Sequence, residues 1–224
     1  MAEHRSQGAG GAYARWGKRA CDVLAAAALL LLLAPLIAAV ALAVRVALGR
    51  PVLFRQARAG RDGRTFVLLK FRSMAPADPA RPAEDAARLS RFGRWLRASA
   101  LDELPQLLNV LRGEMSLVGP RPLLAEDVAL YTPRQRRRLL VRPGLAGLAQ
   151  AAGRNAVPWE RRLELDARYA TLPPTLAGDL ALLLRCLWLV LRGRGATAPG
   201  HATMPRFEGA SDHLPAADTT ASAT

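Results

Sequence analysis

Acidic residues stand side by side three times in this chain, as Glu84-Asp85, Asp102-Glu103 and Glu126-Asp127. Their surroundings narrow the chemistry open to them. The three histidines, His4, His201 and His213, all fall in the terminal segments, so the body of the chain can form neither a Ser-His triad nor a histidine-rich zinc site. Cys21 and Cys186 are far apart, each inside an apolar stretch, and read as small buried hydrophobes rather than metal ligands or a disulfide pair. The soluble part therefore reads as cytosolic. There is no Walker loop, no G-x-G-x-x-G and no D-x-D. Enzymatic chemistry then falls to carboxylates, hydroxyls, arginines and a metal held by oxygen.

Composition selects none of the three acid pairs, and position only leans. Asp102-Glu103 opens a predicted helix with Pro105 in its first turn, where the positive end of the macrodipole favours carboxylate and phosphate alike. Arg94, Arg97, Arg112 and Arg121 crowd it in sequence. An N-cap and a first-turn acid that merely stabilise the helix fit the same facts. The wider charge balance is 32 basic against 18 acidic residues, a net +14, and only Lys18 and Lys70 of the cations are lysines. So arginine- and alanine-rich a chain carries compositional bias. The sign still points to an anionic partner, be it nucleic acid, a membrane surface or a phosphorylated substrate.

The elements that must position these groups begin with a membrane segment. The 224 residues suit one domain with attachments. Hydrophobic content is 51% while mean hydropathy is only +0.07, so the apolar residues are concentrated. From Val23 to Val44 no charge occurs, and 22 helical residues reach about 33 Å, enough for a hydrocarbon core of about 30 Å. The lead-in is too long and the run too extended for a signal peptide. Arg15, Lys18 and Arg19 precede the run, and Arg45, Arg50, Arg55, Arg58, Arg61 and Arg64 follow it. Cations on both flanks fit a helix that enters, breaks at Ala34-Pro35 and leaves on the same face. A kinked bitopic anchor stays open as the alternative.

Beyond it, two apolar runs, Val52–Phe54 and Phe66–Leu69, flank a turn at Gly60–Gly63 and predict a β-hairpin. Residues 75 to 87 read as a loop or lid. A helix over Arg88–Arg97 would set Leu89, Phe92 and Leu96 against a basic stripe of Arg88, Arg91, Arg94 and Arg97, suited to a membrane surface or to a soluble core. Helices are predicted over Leu101–Arg112, Pro133–Leu140 and Pro158–Ala170, with VGPRP and RPGLAGLAQAAGRN as loops. Leu180–Leu191 is too short to cross a membrane and lies in the interface or is buried. The boundaries are a flexible lead-in over 1–14, a membrane segment over 15–48, which is re-entrant if the charges of both flanks stay on one face, a folded domain over 49–192 that would carry any catalysis and a disordered tail over 193–224. The fold class is α+β, membrane-associated.

The stretches KRACDVLAAAALLLLLAPL, PVLFRQARAGRDGRTFVLLKFRSM, SRFGRWLRASALDELPQLLNVLRGEMSLVGPRPLL, YTPRQRRRLLVRPGLAGLAQAAGRN and WERRLELDARY together resemble the bacterial sugar transferases. These are monotopic polyprenyl-phosphate glycosyl-1-phosphate transferases, and the chain looks like their minimal catalytic form. The resemblance implies a re-entrant helix broken at Pro35 and selects Asp102-Glu103. It makes Asp102 the nucleophile that takes a sugar phosphate from a UDP-sugar, with UMP released, and polyprenyl phosphate the acceptor. It implies that Glu103 helps hold Mg²⁺. Lys70, Arg72, Arg121, Arg142 and Arg154 become candidates for phosphate and uridine contacts, for which bidentate guanidinium pairing is the rationale. Asp166, four residues after Arg162, reads as a structural salt bridge.

The implied setting is the cytoplasmic face of a bacterial inner membrane, with the bilayer as a partner and a homo-oligomer left open. Basic residues beside aromatics, such as Lys70-Phe71-Arg72, would also suit a nucleic-acid binder. Aromatics at 5% and the membrane segment argue against one, so no nucleic acid is expected. The chain departs from the family pattern at Ala34, where serine is usual before the proline, and at Cys21, where phenylalanine is usual. The ATLPPTLAG stretch replaces an aromatic-rich one.

Overall fold

The uncharged run folds as two helices, α1 (Lys18–Leu32) and α2 (Ala34–Leu48), which meet at Leu33 with a 65° bend in the computed structural model of the chain. The structure describes residues 11–75, 85–193, 195 and 207–209. Helical structure starts at Tyr13, with a π-helical turn over Tyr13–Gly17 leading into α1. Pro35 lies in the first turn of α2, where its missing N–H is tolerated and its ring ends the α1 hydrogen-bond ladder. Each arm holds 15 residues, about 22 Å of helix. No single helix among the described residues is long and apolar enough to cross a membrane, whereas the bent pair together meets that length and composition.

The two arms pack on different parts of the body. Ala26 of α1 joins Phe66, Leu68, Leu107, Val110, Met115, Leu117 and Val118 in the main core. Val40 and Val44 of α2 join Phe71 and Leu96, with Leu101 and Leu104 against them. Asp22, buried in α1, accepts a hydrogen bond from the Leu117 N–H at 2.9 Å and so ties the helix to the body.

The predicted hairpin is present as β1 (Leu53–Ala59) and β2 (Thr65–Phe71), antiparallel, with Phe54 opposite Lys70. Asp62 (φ 56°) and Gly63 (φ 76°) both take left-handed conformations in the turn. After α3 (Asp85–Arg88) and α4 (Arg91–Ala98), a 3-10 turn over Leu101–Glu103 precedes α5 (Gln106–Arg112). Asn109 of α5 is fully buried beside β2. Its Oδ1 accepts from the Leu69 N–H and its Nδ2 donates to the Val67 carbonyl, so the side chain satisfies a strand edge. Strand β3 (Ser116–Val118) then runs parallel to β4 (Gly144–Ala146), with α6 (Pro133–Arg136) between them. Helices α7 (Leu148–Gly153), α8 (Trp159–Thr171) and α9 (Leu176–Leu191) complete the body, an α+β arrangement.

Several sequence expectations need correction. The helix read over Arg88–Arg97 is interrupted, because the Ser90 hydroxyl accepts from the Gly93 N–H and caps a new helix from Arg91. Its basic stripe is divided accordingly, with Arg94 donating to the Leu89 carbonyl and Arg97 Nε to the Ser73 hydroxyl. Leu101–Arg112 is not one helix either: Asp102 and Glu103 occupy the 3-10 turn and Pro105 is the N-cap of α5. The stretch read as a loop after Arg142 contains β4 and α7. Its glycines serve close backbone approach, since a Cβ on Gly144 would lie 2.1 Å from the Gly119 nitrogen and one on Gly147 2.2 Å from the Gly119 oxygen. Pro158 caps α8 rather than sitting inside it. Cys21 is exposed, not buried, and Cys186 is half-buried. The proposed lid falls largely outside the described residues.

Candidate active site

The turn carrying Asp102 and Glu103 is fixed from both ends by local chemistry. Ala100 takes a left-handed conformation (φ 55°, ψ 15°), unfavourable for a residue with a Cβ, and reverses the chain after α4. Leu101 and Leu104, on either side of the acids, anchor the turn in the cluster formed by α2, β2 and α4. Helix α2 and the turn that carries the acid pair are thereby packed into one cluster.

Asp102 is buried at 5% exposure. Burial, with the adjacent Glu103 charge adding to it, pushes its carboxyl up to about 6, while Lys70, Arg121 and Arg97 pull the other way. Burial would raise Glu103 too, but the Arg121 guanidinium outweighs it and holds that carboxyl below the usual range. Arg121 Nη2 donates to Glu103 Oε1 at 2.6 Å. Lys70, at the end of β2, is pushed down to about 8 by burial, against the opposing pull of Asp102. Its ammonium also lies 5.1 Å from the Phe54 ring centroid across the hairpin.

The acid pair opens onto a cleft lined by Arg121, Ala149, Gln150, Arg154, Asn155 and Arg162. Gln150 is buried, and neither its Oε1 nor its Nε2 has a hydrogen-bond partner. Arg154 has a positive φ of 55°, and Arg162 Nη2 donates to its carbonyl at 2.9 Å. Arg138 does the corresponding work for Arg121, donating to its carbonyl at 2.5 Å and to Asp166 Oδ2 at 2.8 Å. Two buried arginines thus hold the backbones of the two arginines that face the acids.

Of the residues singled out from sequence, Asp102, Glu103, Lys70, Arg121 and Arg154 are brought together. Arg72 is not among them: it is buried and donates to the Arg50 carbonyl at 3.0 Å and to the Leu48 carbonyl, closing the C-terminal end of α2. Arg142 also lies apart, with its Nε donating to the Gly113 carbonyl and its charge beside Arg19, Arg61 and Asp22. The partner of Asp166 is Arg138, not the helical neighbour Arg162, because α8 turns Asp166 inward against the segment 137–140. Asp127 is buried with its charge beside Arg58 and does not line the cleft, and Glu84 lies outside the described residues. Gln150, Asn155, Arg162 and Arg138 were missed, although QAAGRN, around Arg154, was the available pointer to the first two.

The sequence profile of the bacterial sugar transferases matches residues 13–193. The chain belongs to that family. It is 43% identical over 197 residues to the uncharacterized sugar transferase EpsL of Bacillus subtilis, covering 87% of this chain and 97% of that one. It is 48% identical over 143 residues to a UDP-glucose:undecaprenyl-phosphate glucose-1-phosphate transferase of Caulobacter vibrioides, covering 61% of this chain and 54% of that one. An undecaprenyl-phosphate galactose phosphotransferase of Salmonella typhimurium is 36% identical over 202 residues, or 81% of this chain and 42% of the relative. The match therefore spans nearly all of the EpsL relative but only about half of the Caulobacter and Salmonella ones.

Proposed function

We propose that this bacterial sugar transferase moves a sugar 1-phosphate from a UDP-sugar to a polyprenyl phosphate through a covalent aspartyl intermediate. The observation that carries the reading is the buried Asp102 carboxylate flanked by Glu103, Lys70 and Arg121, with Arg154 on the adjoining cleft. The names of the relatives, transferases and phosphotransferases that act on undecaprenyl phosphate, support the same acceptor class here.

In the first step a carboxylate oxygen of Asp102 forms a bond to the β-phosphorus of the donor. The bond from that phosphorus to the bridging oxygen breaks, and UMP leaves with it. In the second step a phosphate oxygen of the polyprenyl acceptor attacks the same phosphorus, the acyl–phosphate bond breaks, and the Asp102 carboxylate is restored. A carboxyl raised to about 6 remains mostly ionised at neutral pH and needs no general base to act. Lys70, Arg121 and Arg154 supply positive charge for the diphosphate, and the unpaired amide of Gln150 offers both a donor and an acceptor to the nucleoside or sugar.

The acids also fit a magnesium ion: no cluster of three ligands forms among the described residues, yet Mg²⁺ commonly takes only one or two carboxylates, as Asp102 and Glu103 offer, plus phosphate oxygens and water. Glu103, with Asp102 beside it, would hold the ion, and Mg²⁺ when bound neutralises diphosphate charge.

The bent pair is read as re-entering the cytoplasmic face of the membrane. Both flanks are cationic, Leu31 and Leu32 are exposed beside the bend, and α9 exposes Leu180, Leu184, Leu187 and Leu191 with Trp188. Single cysteines at Ala12 and Gly49, with Cys21 and Cys186 replaced, should both resist an impermeant thiol reagent in intact cells and react after lysis. Labelling at position 12 in intact cells would contradict re-entry.

For the reaction itself, UMP release is measured from a panel of UDP-sugars with polyprenyl phosphate in lipid nanodiscs. Release with at least one UDP-sugar, dependent on acceptor for turnover, is expected. No release from any of them by folded protein would contradict the proposal.

A further inference from the structure

Phe207 lies beyond the segment that matches the family profile, yet it is 4% exposed and packed against the body of the protein. Its ring stands 5.9 Å from that of Tyr131 and 5.5 Å from that of Trp159, centroid to centroid, both tilted. Leu123 and Leu163 complete the cluster. Each of the two flanking rings holds one arginine, Arg162 in the wall of the cleft and Arg138 behind it. The Arg162 guanidinium lies 4.9 Å from the Trp159 ring centroid, and Arg138 lies 5.6 Å from that of Tyr131 and donates to the tyrosine hydroxyl at 3.2 Å. Those arginines in turn donate to the Arg154 and Arg121 carbonyls.

We infer that Phe207 is a positioning residue of the donor site, a wedge that sets the spacing of Tyr131 and Trp159 and through them seats Arg138 and Arg162 behind Arg121 and Arg154. The inference rests on the proposed transfer from a UDP-sugar. Both contact paths end on a site arginine, one through Tyr131 and Arg138, the other through Trp159 and Arg162. Removing the wedge lets two planar rings and their arginines shift together, and displacements of about an ångström at groups that orient a substrate can cost up to a hundredfold in kcat/KM. The affected step is donor binding, since Asp102 is anchored in a different cluster with α2 and α4. The sequence-based reading of the last 32 residues as a tail without packing had no means of finding this, because a single aromatic has no periodicity.

The test uses the full chain in lipid nanodiscs, comparing the unmodified protein with Phe207→Ala, Phe207→Tyr and a truncation after Gly193. Phe207→Ala is expected to raise KM for the UDP-sugar and weaken UMP binding by about tenfold, with kcat within about twofold. The truncation, which also removes the Gly195 carbonyl that accepts from the Asn155 N–H at 3.1 Å, should weaken UMP binding at least as much, and Phe207→Tyr, which keeps the ring, should return both quantities to within about twofold of the unmodified protein. Combined with Arg162→Lys, the Phe207→Ala effect should be smaller than it is alone, because both act on the same carbonyl contact. Unchanged KM and UMP affinity in Phe207→Ala would overturn the inference. So would a fall in kcat matched by an equal loss of folded protein in thermal unfolding, which would make Phe207 a stabilising contact only. An unmodified chain that releases no UMP overturns the proposed reaction as well, whereas an active one matched by Phe207→Ala overturns this inference alone.

Discussion

Two acid–arginine pairs of nearly equal length sit in this fold and differ in nearly everything else. Arg138 and Asp166 are 2.8 Å apart with side chains exposed by 2% and 0%. Arg121 and Glu103 are 2.6 Å apart but keep exposures of 37% and 18%. Asp166 is held by a guanidinium that also grips Tyr131 and the Arg121 carbonyl, so the first pair is closed and faces inward. Glu103 has beside it a second carboxylate, Asp102, whose burial raises its basicity, and the charges of Lys70 and Arg154. Separation of the charged atoms therefore does not distinguish a closed structural ion pair from the one proposed to face substrate. What distinguishes them is whether neighbouring charge is left available to an incoming anion.

The largest effect expected from breaking this contrast is at Asp102. Asp102→Asn keeps the shape of the side chain but removes the carboxylate proposed as the nucleophile, and UMP release should fall by about a thousandfold or more with the protein still folded. The pH dependence follows from the same residue. In the unmodified enzyme kcat/KM should fall as pH drops through about 6, where Asp102 takes up its proton. Because its carboxyl is raised on folding from 3.8 to about 6, the native state binds more protons between those values, so Asp102 lowers stability as pH rises across that window. Unfolding of Asp102→Asn followed from pH 4 to 6 should lack that decline.

Breaking the closed pair should act on stability first. Asp166→Ala leaves the Arg138 charge buried without its carboxylate, and a loss of about 3–5 kcal/mol is expected in denaturant unfolding. The smallest effects separate two arginines that look alike in sequence. Arg121→Lys keeps a charge but not the fork that meets Glu103, and should lower kcat/KM by about tenfold at unchanged melting temperature. Arg72→Met removes donors to the Leu48 and Arg50 carbonyls. It should cost about 1–3 kcal/mol of stability, with donor KM within about twofold of the unmodified enzyme.

That last pair shows where the sequence was readable. The hairpin around Lys70, the break at Pro35 and the amphipathic α8 follow from local period and turn residues, and the structure has them with modest shifts in boundary. Resemblance, rather than spacing, selected Asp102-Glu103 among three acid pairs. In so arginine-rich a chain, Arg72 and Arg121 carry the same side chain, and only the fold shows that one ends a helix while the other meets a carboxylate. Gly144 and Gly147 read as loop signals in sequence because glycine marks both turns and close backbone contacts, and the partner of that contact, Gly119, lies more than twenty residues away. The links from Phe207 to Arg121 and Arg154 pass through three-dimensional neighbours alone.

The central claim, a covalent sugar-phosphoryl aspartate at position 102, is tested most directly by mass spectrometry of the enzyme after incubation with UDP-sugar and no acceptor. The expected result is a mass increase equal to one sugar phosphate less one water, mapped to the peptide containing Asp102, absent from Asp102→Asn and discharged on adding polyprenyl phosphate. Robust turnover with no adduct at any time, or an adduct that persists in Asp102→Asn, would contradict it.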